Sequence, residues 1–295
     1  MVYIGILLIS LAFLGFGYFT RGRMLDDNSI LQKFKIHPID ISAIGWVIFG
    51  IYWFLQTSNY LDAQDYTNAL FVVAAFPFFT FIAYKEHESI TSGNIEGLRF
   101  LTGITVFTVA GYTIISAIPA IEGGIEYINA YFSSAFLSAV GFPAEAGAID
   151  YVGNEYYYRS NDNLMSVPIL HNGRNDILVT LSCTAFPSIF IFTSAILCAT
   201  EPLRKRLTAF LLIIPGIFIL NIIRMSMIAY LTYSETTSPE FAHHVLGKAG
   251  SLLALMFLAW VLFTFLPSIL TNIREVLDLL FTKSTAKNSS SNSKE

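Results

Sequence analysis

Charge is the scarcest ingredient of this chain. Only 13% of its 295 residues are Asp, Glu, Lys or Arg, against about 25% in a typical soluble domain. Together with 54% hydrophobic residues, that scarcity reads as a membrane protein built from apolar helices. No basic face is present to follow a phosphate backbone, so a nucleic-acid partner is excluded. The net charge of −4 implies no particular partner. Cysteine is almost missing: Cys183 and Cys198 stand alone, with no CxxC and no Cys/His spacing of a zinc site. Neither a metal nor a cofactor is expected. On one predicted helix rising about 1.5 Å per residue the two thiols lie more than about 20 Å apart, too far for a disulfide. The first apolar run also lacks the preceding positive charges of a signal peptide. Arg21 and Arg23 come after it, so it reads as a retained helix with its N-terminus outside.

What is abundant is long apolar runs. They cover about residues 2–19, 39–58, 66–84, 98–118, 178–200 and 207–233, and a last one opens at His243. Each has about the 20 residues that a bilayer core requires. The expected fold is an all-α polytopic membrane protein of about seven transmembrane helices. Basic residues support one topology. With the N-terminus outside, Arg21, Arg23, Lys33, Lys35, Lys85, Arg99, Arg204, Lys205, Arg206, Arg274, Lys283, Lys287 and Lys294 fall inside. Only Arg159 and Arg174 fall outside, and Arg224 and Lys248 lie within spans. Shifting the register by one span reverses this asymmetry, against the positive-inside rule.

Residues 119–177 form a long extracellular insertion. Ile125, Ile128, Phe132, Phe136 and Ala139 recur at helical spacing with Glu126, Asn129, Ser133 and Ser134 between them. That pattern predicts an amphipathic helix at the membrane interface, ended by Gly141 and Pro143. Glu155–Arg159 and Leu164–Leu170 flank a polar Ser-Asn-Asp-Asn turn and predict a β-hairpin. The insertion is either an ordered cap or a lid that adds an extended substrate as a further strand. The chain thus divides into four N-terminal helices (1–118), the lid segment (119–177), a second helical set (178–267) and a cytoplasmic tail (268–295). From Ser284 that tail is polar, of low complexity and expected to be partly disordered. Asn288-Ser-Ser matches a glycosylation sequon but falls on the inner side.

The second helical set carries polar residues that a plain anchor would not keep. A charge near mid-membrane costs a few kcal/mol or more, so Arg224 needs a partner, a cavity or a task. On the predicted helices Cys183 lies about 7 Å and Arg224 about 10 Å below the outer surface. His243 and His244 sit at the lip of the last span, with Lys248 about one turn below. A thiol becomes a nucleophile when a cation or base favours the thiolate. A histidine can take that proton and return one to a leaving amine. An arginine can hold a tetrahedral oxyanion, and Asn221, one turn away on the same face, can orient it. Two other readings use the same residues. Arg224 and Lys248 would make an anion site in a polytopic transporter or channel, although no internal repeat of the kind such folds often show is visible. A non-catalytic scaffold carrying the lid is the third reading.

Ser182-Cys183-Thr184-Ala185-Phe186-Pro187-Ser188, Asn221-Ile-Ile-Arg224 and His243-His-Val-Leu-Gly247, in that order, resemble the exosortase/archaeosortase family and, within it, the archaeosortase A subgroup. The motifs cover about residues 175–265. The resemblance implies a cysteine membrane transpeptidase. It would cleave a C-terminal sorting signal from surface-protein precursors at the outer face and transfer the new C-terminus to a membrane phospholipid. By resemblance Cys183 is the nucleophile and Arg224 the oxyanion stabiliser, with Thr184 and Asn221 supporting. The third, basic position falls to His243, His244 or Lys248.

Overall fold

The computed structural model describes residues 2–20, 37–62, 64–92, 96–152 and 164–281. Helix α1, Val2–Thr20, is apolar throughout. Helix α2, Pro38–Leu55, starts at a capping box: His37 Nδ1 accepts from the Ile39 N–H, and Asp40 accepts from the His37 N–H. Pro38 occupies the first helical position, where its missing N–H costs nothing. A short α3, Thr57–Asp62, extends that helix. Helix α4, Tyr66–Ser92, runs past the predicted span into a charged final stretch. There the buried Glu86 accepts a 2.9 Å hydrogen bond from Thr102 Oγ1 of α5, Glu96–Ser116.

These helices pack through small residues and rings. A Cβ on Gly17 would meet Ser42 Cβ at 2.4 Å, and one on Gly45 would meet the Leu14 backbone nitrogen at 2.9 Å. Glycine at both places lets α1 and α2 touch backbone to backbone, the usual means of association where burial in lipid supplies no hydrophobic drive. Trp46, Phe49, Leu14 and Ile82 fill the seam.

Helix α6, Pro119–Ala139, starts with proline at its first position. It is the amphipathic helix expected from the sequence, and its polar stripe faces the protein. Glu126, Asn129, Ser133 and Ser134 are buried, while Ile128, Phe132 and Phe136 stay 42–47% exposed. A small antiparallel sheet follows: β1, Glu145–Ala146, β2, Asp150–Val152, β3, Leu164–His171, and β4, Arg174–Val179. Strand β3 pairs with the other three. The predicted hairpin holds in part, for β2 pairs Val152 with Leu164, while residues 155–159 lie outside the described residues. The main hairpin joins β3 to β4 through Asn172 and Gly173, both at positive φ (50° and 79°). Those are the angles a two-residue type I′ turn demands.

The expected fifth span, 178–200, is not one helix. Leu178 and Val179 complete β4, a 3₁₀ turn covers Leu181–Cys183, and the helix α7 is only Phe186–Cys198. Its 13 residues fall short of the roughly 20 that cross a bilayer. The β-rich run before Thr180 finds its partner in β3, and Pro187, whose missing N–H is not needed there, suits the first turn of a helix. Helix α8, Leu203–Tyr233, is the longest. A short α9, Pro239–Phe241, passes into a π-helical turn, Ala242–Gly247, and then into α10, Lys248–Phe265. Helix α11, Pro267–Phe281, closes the described chain where the sequence suggested only a tail. The chain is an all-α polytopic membrane protein with a small sheet. Among the described residues six helices are long and apolar enough to cross a membrane, and Phe186–Cys198 is a shorter apolar helix. Phe192, Ile196, Ile213, Ile217, Leu258 and Leu262 join α7, α8 and α10.

Candidate active site

The sheet is pinned to the end of α8. Tyr233 donates from its hydroxyl to the Ile169 carbonyl of β3 and accepts from the Ile177 N–H of β4 at 3.4 Å. Arg174 bridges Asp176 at 2.7 Å and Glu235 at 3.1 Å. These ties decide where β4 delivers the next residues, and the next residues are the Cys183 turn.

The turn is held from within. The Cys183 N–H donates to the Thr180 carbonyl at 2.8 Å, and Thr180 Oγ1 donates to Cys183 Sγ at 3.4 Å. Thr184 Oγ1 donates back to the Leu181 carbonyl at 2.7 Å and accepts from the Phe186 N–H at 3.3 Å. It therefore joins the turn to the first residues of α7. Cys183 is buried, 6% exposed, in an apolar cluster with Val167, Val179, Met225, Ile228 and Ala242. The depth estimate from helical rise does not apply to it, because the chain around it is a turn and not a helix.

Arg224 comes to this turn from α8. Its Nη1 donates to the Cys183 carbonyl at 3.5 Å and to Asn221 Oδ1 at 3.4 Å. Its Nε is buried without a hydrogen-bond partner. The guanidinium thus lies against the backbone of the thiol residue, with part of its donor capacity unspent. Asn221 Nδ2 donates to Asn129 Oδ1 of α6 at 3.0 Å, and Asn129 Nδ2 donates to the Ile125 carbonyl at 3.0 Å. One turn outward Ser226 Oγ donates to the Ser133 carbonyl at 3.0 Å.

Cys183, Thr184, Asn221 and Arg224 are therefore brought together. His243 is half-buried on the π-helical turn, whose Ala242 belongs to the Cys183 cluster. A Cβ on Gly247 of that turn would meet Ile228 Cδ1 at 2.8 Å, so the turn lies directly on α8. Lys248 is exposed at the start of α10. The side chain of His244 lies outside the described residues. Among the described residues no three His, Cys, Asp or Glu side chains gather as a metal-binding group.

The polar face of α6 was not anticipated as part of the site. Glu126, Asn129 and Ser133 recur at helical spacing against an apolar back, and that pattern is the signal that could have found them. Glu126 is fully buried, with the Leu181 backbone N–H of the thiol turn facing its carboxyl. Helix α6 is not among the six candidate spans. Burial, with Glu122 adding repulsion, pushes the Glu126 carboxyl up from 4.5 to about 8, and the facing Leu181 backbone N–H opposes the rise. A carboxyl biased toward its neutral form thus adjoins the turn that carries the thiol.

A family model described as Transmembrane exosortase (Exosortase_EpsH) matches residues 4–264, which include every element just described from α6 to the π-helical turn. A curated protein named Archaeosortase A, from Haloferax volcanii, is 24% identical over 200 residues, 64% of this chain. The chain spans 61% of the length of that relative. No solved structure is matched.

Proposed function

We propose that this chain, which belongs to the transmembrane exosortase family, is a membrane cysteine transpeptidase. It severs the C-terminal sorting signal of surface-protein precursors and passes the new C-terminus to a lipid. The observation that carries the reading is the approach of Arg224 to the Cys183 turn at 3.5 Å, across 41 residues of sequence. A half-buried guanidinium against the backbone of a buried cysteine has little use in packing, whereas nucleophilic acyl transfer needs both groups.

Cys183 Sγ attacks the scissile carbonyl carbon, forming the S–C bond while the thiol proton passes to His243. The carbonyl oxygen becomes an oxyanion held by Arg224, which Asn221 orients. The oxyanion collapses and the C–N bond breaks. His243 protonates the departing amine, and the signal helix leaves. The amine of a phospholipid headgroup then attacks the thioester. An amide forms, the S–C bond breaks, and the proton lost by the amine returns to sulfur. Of His243, His244 and Lys248, the acid/base role is assigned to His243, which is half-buried on the turn whose Ala242 belongs to the Cys183 cluster, whereas Lys248 is exposed.

The described Lys and Arg residues at the helix ends remote from the sheet, Arg99, Arg204, Lys205 and Arg206 among them, support a cytoplasmic placement of that end. The sheet and Cys183 then face outward. An apolar groove of about 320 Å³ between α6 and α8, lined by Phe132, Phe136, Ile219 and Ile223 among others, supports sideways entry of an apolar signal helix from the bilayer.

The test is mass spectrometry of a surface protein's C-terminus in cells carrying Cys183→Ser, Arg224→Lys or Lys248→Ala. The first two should leave the signal attached, since lysine keeps the charge but loses the planar fork. Lys248→Ala should process normally. Normal shortening and lipidation in the Cys183→Ser strain would overturn the mechanism.

A further inference from the structure

The hydrogen bonds around Arg224 form a chain whose direction is decided at both ends. At one end is the Ile125 carbonyl, which can only accept. Asn129 Nδ2 must therefore point toward it, as it does at 3.0 Å, and Asn129 Oδ1 must point the other way. That oxygen accepts from Asn221 Nδ2 at 3.0 Å, so Asn221 Oδ1 faces Arg224 at 3.4 Å. At the far end the guanidinium can only donate. Either amide turned over would set two donors or two acceptors against each other. Asn129 and Asn221 are both buried, where an unpaired polar group is costly.

We propose that Asn129 is a positioning residue for the Cys183–Arg224 pair, holding the Asn221 amide so that its oxygen faces the guanidinium. Helix α6 then does more than cover the site. It carries a fixed acceptor, the Ile125 carbonyl, from which the orientation of the Asn221 amide beside Arg224 is set. The inference rests on the transpeptidase reading, in which Arg224 acts on Cys183.

The test reads the thiol itself and needs no substrate. The detergent-solubilised full chain, with Cys198→Ala to leave one thiol, is alkylated with N-ethylmaleimide across a pH series. The midpoint of labelling reports the ionisation of Cys183. Glu122 and Glu126 on α6, Arg224 on α8 and His243 and His244 on the π-helical turn are among the charged or titratable side chains of the elements around the turn, and each variant leaves the others in place. Arg224→Ala should raise the midpoint, because a nearby cation favours the thiolate. Asn129→Leu should produce roughly half of that upward shift. In the Arg224→Ala background Asn129→Leu should add nothing, because its effect passes through the arginine.

The outcomes separate the two readings. An Arg224→Ala midpoint equal to wild type defeats the activated-thiol reading and the inference with it. A shift in Arg224→Ala with none in Asn129→Leu defeats the inference alone. So does an equal Asn129→Leu shift with and without Arg224, or faster labelling at every pH, which would show a cover merely loosened. If Asn129→Leu does not accumulate, Asn129→Ser takes its place, since it is too short to reach Asn221. Its shift must vanish in the Arg224→Ala background for the proposal to stand.

Discussion

Replacing Glu126 with glutamine should change how the stability of this protein depends on pH. The carboxyl is fully buried, and burial raises it from 4.5 to about 8. The folded chain therefore holds this proton more tightly than the unfolded chain. The favourable contribution of the neutral acid is complete below about pH 4.5 and is lost as the pH climbs toward 8. Each pKa unit is worth about 1.4 kcal/mol, so the full rise is on the order of 5 kcal/mol. That is a ceiling, because relaxation and water entry lower the effective cost of burying a charge. Glutamine has nearly the same shape and cannot ionise, so it should match wild type near pH 5 and exceed it near pH 9. Thermal unfolding of detergent-solubilised protein, followed by intrinsic fluorescence at pH 5, 7 and 9, checks this. Wild type should lose several degrees between pH 5 and 9 that Glu126→Gln keeps, after the slope common to both is removed. Parallel curves would show that Glu126 ionises freely, and the buried carboxyl beside the Cys183 turn would lose its meaning.

Tyr233→Phe should unpin the sheet from α8, since it strands the Ile169 carbonyl and the Ile177 N–H. A cost of about 1–3 kcal/mol should appear as a lower melting temperature and faster hydrogen exchange in β3 and β4. Gly17→Leu should force α1 from α2, because even its Cβ would meet Ser42 Cβ at 2.4 Å. Overpacking of this kind costs about 1–3 kcal/mol, and Ser42→Gly in the same chain should restore part of the lost melting temperature. A reporter fused after Arg206 should read cytoplasmic and one inserted near Asn161 external. Both on one side would refute the orientation drawn from the basic residues.

The helices were legible because lipid imposes a simple rule: about 20 apolar residues without interruption. α1, α2, α5 and α8 obey it, and their ends fall near the predicted ones. The break at Thr180 was not legible from hydropathy, since Ile177-Leu-Val179 is as apolar in a strand as in a helix. The signal that separates the two was present a few residues earlier. Asn172-Gly173 is among the strongest hairpin pairs, and a hairpin there requires the following residues to run back along β3.

The site divides along the same line. Cys183, Asn221 and Arg224 stand out in sequence because each is polar in an apolar run, where a polar side chain must be explained. Asn129 and Glu126 do not stand out, because a helix with alternating polar and apolar residues reads as a surface helix with its polar face in water. The structure reverses which side is wet. Phe132 and Phe136 remain exposed while Glu126 and Asn129 are buried, as suits a helix whose outer face meets an apolar medium and whose inner face meets a polar site. In water that arrangement would lose the burial energy of two phenylalanines. Beside a bilayer it loses nothing, and the polar face becomes free to orient Arg224. The membrane therefore decides more than where the helices run. It lets α6 spend its polar residues inside the protein, and the acceptor that directs Asn221 toward Arg224 is one of them.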